Sequence, residues 1–139
     1  MPISKPADQD PTLARIIDRL AKQENLAAVW LYGSRARGTH RQDSDYDIAI
    51  ALNNFDLPYA ERRLTPELIA MDLSAELDHP VQVVDINLVP IPLAVNILDD
   101  GKPILVRDEL RYCREINRIH GLWDDHCWYQ NQLEKELRA

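Results

Sequence analysis

The sequence predicts an α/β fold, a small mixed β-sheet flanked by helices and followed by a long C-terminal helix. Two short apolar runs, LAAVWLYG at 26–33 and DYDIAIAL at 45–52, have the length and composition of buried strands. Segments with apolar residues at helical spacing lie between and around the predicted strands, and the last of these spans about 108–137. Strands that alternate with helices are typical of a sheet with helices packed on its faces.

The helix starts are predicted from capping patterns. Asp10 followed by Pro11 has the pattern of an N-cap and a first helical residue, and the helix is expected to end near Lys22. After the second strand and a polar loop, Thr65 and Pro66 form a second such pattern, so the next helix is expected to begin there.

The second half of the sheet is predicted from breaks and alternation. Asp78-His79-Pro80 interrupts the helical pattern, and residues 81–89 alternate well enough for a third strand. A short helix is expected over about 92–98, and residues 102–106 are expected to form a fourth strand at the edge of the sheet. We expect residues 1–139 to form one domain with a core of about 12–106.

Composition excludes several classes of function. The 16 basic and 23 acidic residues give a formal net charge of −7, which argues against direct, sequence-independent binding to nucleic acid. No apolar run reaches the roughly 20 residues of a membrane span, and the first ten residues lack the apolar centre of a signal peptide. Cys113 and Cys127 are expected on one helix, about 21 Å apart, which is too far for a disulfide bond between them. We expect both to be reduced and partly buried thiols. We therefore expect a cytoplasmic protein.

The stretch GSRARGTHRQDSDYD at 33–47 contains the candidate site. Asp45 and Asp47 are separated by one residue, so in a strand both side chains point to the same face. Two like charges this close repel each other, and a divalent cation between them relieves the repulsion. The pair therefore predicts a metal site.

The start of the same stretch predicts a phosphate site. Gly33 permits a sharp turn, and Ser34 offers a hydroxyl and a backbone N–H at the start of a short helix. Arg35, Arg37 and Arg41 add positive charge to the loop. Of these, we select Arg37 as a phosphate clamp.

Asp85 is the candidate third acid. It lies late in the predicted third strand, in phase with Val83, where a lone charge is costly without a partner. Three converging carboxylates would hold two cations about 4 Å apart, an arrangement that aligns an attacking hydroxyl with an α-phosphate.

The spacing of Gly33-Ser34, ten residues and then Asp45 and Asp47 resembles the motif of the polymerase-β-like nucleotidyltransferases. The resemblance covers roughly residues 12–106. Within that superfamily the chain is most similar to the minimal nucleotidyltransferases that act as antitoxins for HEPN-domain ribonuclease toxins.

The resemblance implies an antitoxin that transfers AMP from ATP, with Mg²⁺, onto a tyrosine of a HEPN toxin in a hetero-oligomeric complex. Asp45, Asp47 and Asp85 would ligate two metal ions, and Asp85 would also deprotonate or orient the tyrosine hydroxyl. Gly33 and Ser34 would hold the β- and γ-phosphates. Two alternatives stay open: transfer to a small molecule, as in aminoglycoside-modifying enzymes, and an antitoxin that acts by binding alone.

The aromatic residues of the C-terminal helix also allow two interpretations. Trp123, Trp128 and Tyr129 face more than one direction on a helix, so they either pack on the core or form a partner interface. The four histidines have no metal-ligand spacing, and we interpret them as surface or packing residues.

Overall fold

The computed structural model describes residues 10–53 and 58–138. In these ranges a mixed four-stranded sheet is packed by five helices, the last of them long, which confirms the predicted fold class. In chain order the elements are α1 (Pro11–Ala21), β1 (Leu26–Tyr32), α2 (Ser34–Arg37), β2 (Tyr46–Leu52), α3 (Tyr59–Leu77), β3 (Val81–Asp85), α4 (Ile91–Asp100), β4 (Lys102–Val106) and α5 (Glu109–Arg138).

The strand order is β3-β2-β1-β4, which places β4 at an edge as predicted. β1 runs antiparallel to β2 and β4, whereas β2 and β3 are parallel. In the register of the sheet, Asp47 of β2 is paired with Tyr32 on the neighbouring strand β1 and with Gln82 on the neighbouring strand β3. Asp47 therefore lies between two neighbouring side chains on one face of the sheet.

Each face of the sheet carries its own apolar core. On one face, α1 and α3 bury Ile16 and Leu73 against Ile48 and Ile50 of β2. The other face carries α4 and α5, and there the core includes Trp30 of β1. Alternation along β2 sends even-numbered residues to the first face and odd-numbered residues to the second, so Asp47 belongs to the α4/α5 face.

α3 begins earlier than the sequence predicts. It starts at Tyr59, and Pro66 lies inside the helix instead of near its start. Proline has a helical φ but no N–H, so it interrupts one backbone hydrogen bond of the helix. The hydroxyl of Thr65 donates to the carbonyl oxygen of Glu61 in that turn, at 2.9 Å. The Thr65-Pro66 pattern is therefore an interior feature of α3, and the predicted helix start was wrong.

β3 is shorter than predicted because the chain turns at Asp85. The Oδ1 atom of Asp85 accepts a hydrogen bond from the N–H of Asn87 at 2.8 Å, and the Asp85 carbonyl accepts from Leu88 at 2.9 Å. This local pattern is typical of an Asx-turn, which ends a strand. Residues 86–89, predicted as strand, form this turn instead.

The N-terminal half of the long α5 packs against the sheet and α4, and its C-terminal half projects from the domain. Ile119 is fully buried, and Trp123 packs against the α4/α5 core. Trp128 and Tyr129 are 62% and 61% exposed, so the described residues leave most of their surface uncovered. Both cysteines are free, and Cys113 is exposed, not partly buried as predicted. Within the described residues, none of the helices is both long and apolar enough to cross a membrane.

Candidate active site

The turn after β1 brings the chain close to Asp47. Gly33 has φ 74°, a left-handed value that favours glycine, and its carbonyl accepts hydrogen bonds from Ala36 and Arg37 at the start of α2. A β-carbon at position 33 would lie 2.3 Å from Oδ2 of Asp47. The Gly33-Ser34 turn is therefore in direct contact with one of the two predicted metal ligands.

Replacing Gly33 with alanine should destabilise the fold. The substitution combines a left-handed backbone with a collision against Asp47, so we expect the free energy of unfolding to fall by about 2 kcal/mol in urea denaturation. Gly121→Ala is the matched control. Position 121 lies inside α5 with open space around an added β-carbon, so this change should stabilise the protein by up to about 1 kcal/mol. Equal effects of the two substitutions would contradict the assigned role of Gly33.

Asp45 is close enough to Asp47 to affect the ionisation of the Asp47 carboxyl group. Burial raises the pKa of Asp47, the negative charge of Asp45 raises it further, and the positive charge of Arg37 lowers it. The ionised carboxylate of Asp47 is thus penalised in the folded protein. Within residues 10–53 and 58–138, no cluster of three or more His, Cys, Asp or Glu side chains is arranged to hold a metal ion. The two carboxylates of Asp45 and Asp47 still fit one hard divalent cation, because such cations prefer oxygen ligands.

The raised pKa of Asp47 has a measurable consequence for stability without cations. A folded-state pKa above the unfolded value means that stability falls as the pH rises from below the ordinary value of 3.8 through the raised pKa. Asp47→Asn removes this loss, so with a chelator at pH 7 the variant should melt about 1–3 °C higher than the wild type. The difference should vanish at low pH. Asp125→Asn, an exposed position on α5, removes the same charge as a control.

Arg35 fixes the loop that leads to Asp45. Its Nε donates to the carbonyl of Ser44 at 3.0 Å, and its Nη2 donates to the carbonyls of Gln42 and Arg41 at 2.9 and 3.3 Å. The guanidinium also lies over the ring of Tyr46, 3.9 Å from its centroid. Sequence analysis gave Arg35 only a charge in the loop. In the structure, the Arg35 side chain stabilises the loop by its hydrogen bonds to three backbone carbonyls.

A second set of contacts anchors the same loop to α1. The hydroxyl of Tyr46 donates to Oδ2 of Asp10 at 2.7 Å, while Oδ1 of Asp10 caps α1 by accepting from Thr12 at 3.0 Å. Burial, followed by the hydrogen bond to Asp10, raises the pKa of Tyr46 to about 12. His79 contacts the edge of the Tyr46 ring and lies 2.8 Å through Nε2 from the carbonyl of Ser44. This histidine is a packing residue, as predicted.

Arg37 is exposed and lies between Asp47 and a cavity next to α1. Its charge acts on Asp47, and it also lines a cavity of about 750 Å³ on the α1/α3 side. That cavity is lined by Asp10, Leu31, Arg35, His40 and Lys102 among others, and neither Asp45 nor Asp47 is part of its lining. The charge of Arg37 is therefore felt at Asp47, and its role as a phosphate clamp stays a prediction.

The structure does not bring Asp85 to the carboxylate pair. In the β2/β3 register Asp85 is opposite Ile50, so it lies on the α1/α3 face and three residues, or roughly 10 Å, further along the sheet than Asp47. It is 3% exposed, and its Oδ2 lies 3.4 Å from Nε of Arg62 on α3. The ion pair and the Asn87 turn satisfy this buried charge. The prediction of Asp85 as the third acid is therefore corrected.

Two other residues flank the pair, and sequence analysis singled out neither. Gln82 is opposite Asp47 in β3, and its Nε2 donates to Oδ2 of Asp45 at 3.2 Å. Tyr32 is opposite Asp47 in β1, and burial together with the charge of Asp47 raises the pKa of its phenol to about 12. Two features of the sequence could have pointed to these residues. Tyr32 directly precedes the Gly33 turn, and Gln82 is a polar residue in an otherwise apolar strand.

Comparisons with known proteins identify a family and a fold for this chain. A family model described as polymerase beta, nucleotidyltransferase matches residues 14–110. No curated protein matches the chain. A solved toxin-antitoxin structure with AMP-PNP matches with a TM-score of 0.68 and 18% identity, covering 93% of this chain and 98% of the other.

Two further solved structures have the same fold. One, from Shewanella oneidensis, is a tri-AMPylated HEPN toxin in complex with MNT antitoxin; it has a TM-score of 0.64 and 16% identity, with 91% of this chain and 98% of the other covered. The other is a toxin-antitoxin MntA-HepT structure with a TM-score of 0.56 and 19% identity, with 89% and 95% covered. The matches therefore extend over nearly the whole length of both chains.

Proposed function

The chain belongs to the polymerase beta nucleotidyltransferase family, and from this premise we propose that it is an antitoxin that transfers AMP from ATP onto a tyrosine of a HEPN ribonuclease toxin. The observation that supports the transfer is the contact between the Gly33 turn and Asp47, which joins a phosphate-binding turn to a carboxylate pair. The observation that supports the partner is the resemblance to the toxin-antitoxin structures, MntA-HepT among them.

Each part of the site has a role in this proposal. Asp45 and Asp47 hold Mg²⁺, which when bound supplies positive charge to the reacting phosphate and to the leaving pyrophosphate. The Ser34 hydroxyl and the first N–H groups of α2 bind the β- and γ-phosphates, and Arg37 neutralises their charge. Arg35 keeps the loop in place and so orients Asp45.

The reaction is a substitution at the α-phosphorus of ATP. The tyrosine oxygen of the partner forms the new P–O bond, the bond to the pyrophosphate oxygen breaks, and the phenolic proton passes to solvent. Because Asp85 is on the other face, no third carboxylate of the described residues is placed beside Asp45 and Asp47 to take that proton. Positioning and charge neutralisation therefore carry the proposed catalysis.

The projecting half of α5 is the surface that we assign to the partner. Trp128 and Tyr129 are exposed there, and Leu133 and Leu137 continue the apolar surface at 40% and 85% exposure. Large aromatic side chains of this kind are enriched in the centres of protein interfaces. The proposal thus uses both interpretations of the aromatic residues: Trp123 packs on the core, and we assign Trp128 and Tyr129 to the partner.

The experiment that tests the proposal uses ATP labelled at the α-phosphate. The purified chain is incubated with Mg²⁺, the labelled ATP and the protein encoded by the adjacent gene, and label is then sought on protein. We expect label on a tyrosine of that partner. Tight association without label would contradict AMP transfer.

A second candidate is neutralisation by binding alone, and one observation favours it. The position beside Asp47 in β3 is occupied by the neutral Gln82, so the site has only two of the three carboxylates expected from the sequence. The same experiment separates the candidates, because binding alone leaves the partner unlabelled.

A further inference from the structure

Gln82 is placed where a third carboxylate would complete the site. It pairs with Asp47 across the parallel β2/β3 ladder, so the two side chains share the α4/α5 face and their strands lie about 4.8 Å apart. Its side chain is exposed and hydrogen-bonded to Asp45. Gln82 therefore contacts one proposed metal ligand and neighbours the other.

At this position an amide can both donate a hydrogen bond and offer a neutral oxygen ligand, whereas an ionised carboxylate can only accept. Its NH₂ group donates to Asp45, which fixes the orientation of that carboxylate and offsets part of its repulsion with Asp47. Its carbonyl oxygen stays available as a neutral ligand for a hard cation. The three side chains together carry a formal charge of −2, whereas three carboxylates would carry −3.

We propose that Gln82 is the third member of the site, a positioning residue that holds Asp45 in its ligating orientation and, being neutral, keeps the affinity for the divalent cation low. This inference rests on the cation site of the proposed function. The weak site means that the cation enters with the nucleotide, whose phosphates supply the missing negative charge.

The test measures Mn²⁺ affinity by calorimetry on the full chain without nucleotide. Gln82→Glu adds a third carboxylate, and we expect the dissociation constant to fall at least about tenfold because ligand charge sets the affinity of such sites. Gln82→Ala removes the contact with Asp45, and we expect a dissociation constant about tenfold higher. Gln132→Glu on α5 adds the same charge away from the site and should leave the affinity unchanged.

The outcomes distinguish this inference from the proposed function. If the wild type binds Mn²⁺ and both Gln82 variants match it, with far-UV circular dichroism showing folded proteins, Gln82 has no role at the site. If the wild type and Asp45→Asn/Asp47→Asn both fail to bind Mn²⁺ with and without ATP, the proposed cation site itself is wrong, and the inference fails with it. Opposite shifts for Glu and Ala are the result that a merely structural residue would not give.

Discussion

Asp45→Asn/Asp47→Asn should abolish AMP transfer to the partner while leaving the complex intact. The two substitutions keep the size and shape of the side chains, but each replaces one carboxylate oxygen with an NH₂ group and removes the charge that holds the cation. We expect the transfer rate to fall at least about a thousandfold, which corresponds to about 4 kcal/mol of lost transition-state stabilisation. Transfer is measured with α-labelled ATP, and association with the partner is measured by calorimetry.

Asp43→Asn is the matched control for this variant. Asp43 lies in the same loop and is exposed, so its substitution removes a nearby charge without touching the pair. We expect the control to keep its transfer rate within about twofold, because exposed charges near a site act weakly. Substantial transfer by the double variant would refute the metal assignment, and loss of association would show that the pair acts in the interface instead.

Asp85→Ala should reduce stability and leave the chemistry in place. Asp85 is buried, pairs with Arg62 and accepts the hydrogen bond that turns the chain at Asn87. Removing one partner of a buried ion pair is costly, and we expect the free energy of unfolding to fall by about 3 kcal/mol. The transfer rate per folded molecule should stay close to that of the wild type.

Two controls separate stability from catalysis at this position. Asp85→Asn keeps an acceptor for the Asn87 N–H, so it should lose less stability than Asp85→Ala. Asp99→Ala is at an exposed position near the end of α4 and should change stability by less than about 0.5 kcal/mol. A variant of Asp85 that remains as stable as the wild type but no longer transfers AMP would return this residue to the catalytic site.

The strands and the carboxylate pair could be predicted because their signals are local. β1 and β2 are apolar runs bounded by polar or glycine residues, and Asp47 follows Asp45 at strand spacing, so their common face needs no knowledge of the rest of the fold. The same holds for α5, whose apolar residues repeat at helical spacing over its whole length.

Asp85 and Gln82 could not be assigned in this way because their place depends on pairing between strands. Asp85 is in phase with Val83, as the sequence suggests, but the register puts that phase on the α1/α3 face. A shift of one residue would exchange the two faces, so it is the pairing of Asp47 with Gln82 that decides which side chain enters the site.

Arg35 and the start of α3 show two other limits of sequence analysis. The charge of Arg35 is visible in the sequence, but its hydrogen bonds to loop carbonyls depend on the path of the loop. Pro66 has the backbone angle of a helix start, and the earlier turns of α3 form in spite of the bond it interrupts. The hydrogen bonds of Arg35 are therefore tertiary contacts, and the early part of α3 makes one as well, the ion pair of Arg62 with Asp85.

A crystal structure with Mn²⁺ and a non-hydrolysable ATP analogue would test the central claim most directly. The anomalous signal of manganese locates the ion independently of any assumption about the site. We predict the ion between Asp45 and Asp47, with the β- and γ-phosphates on the Gly33-Ser34 turn. Manganese at Asp85, or a nucleotide bound away from that turn, would contradict the account.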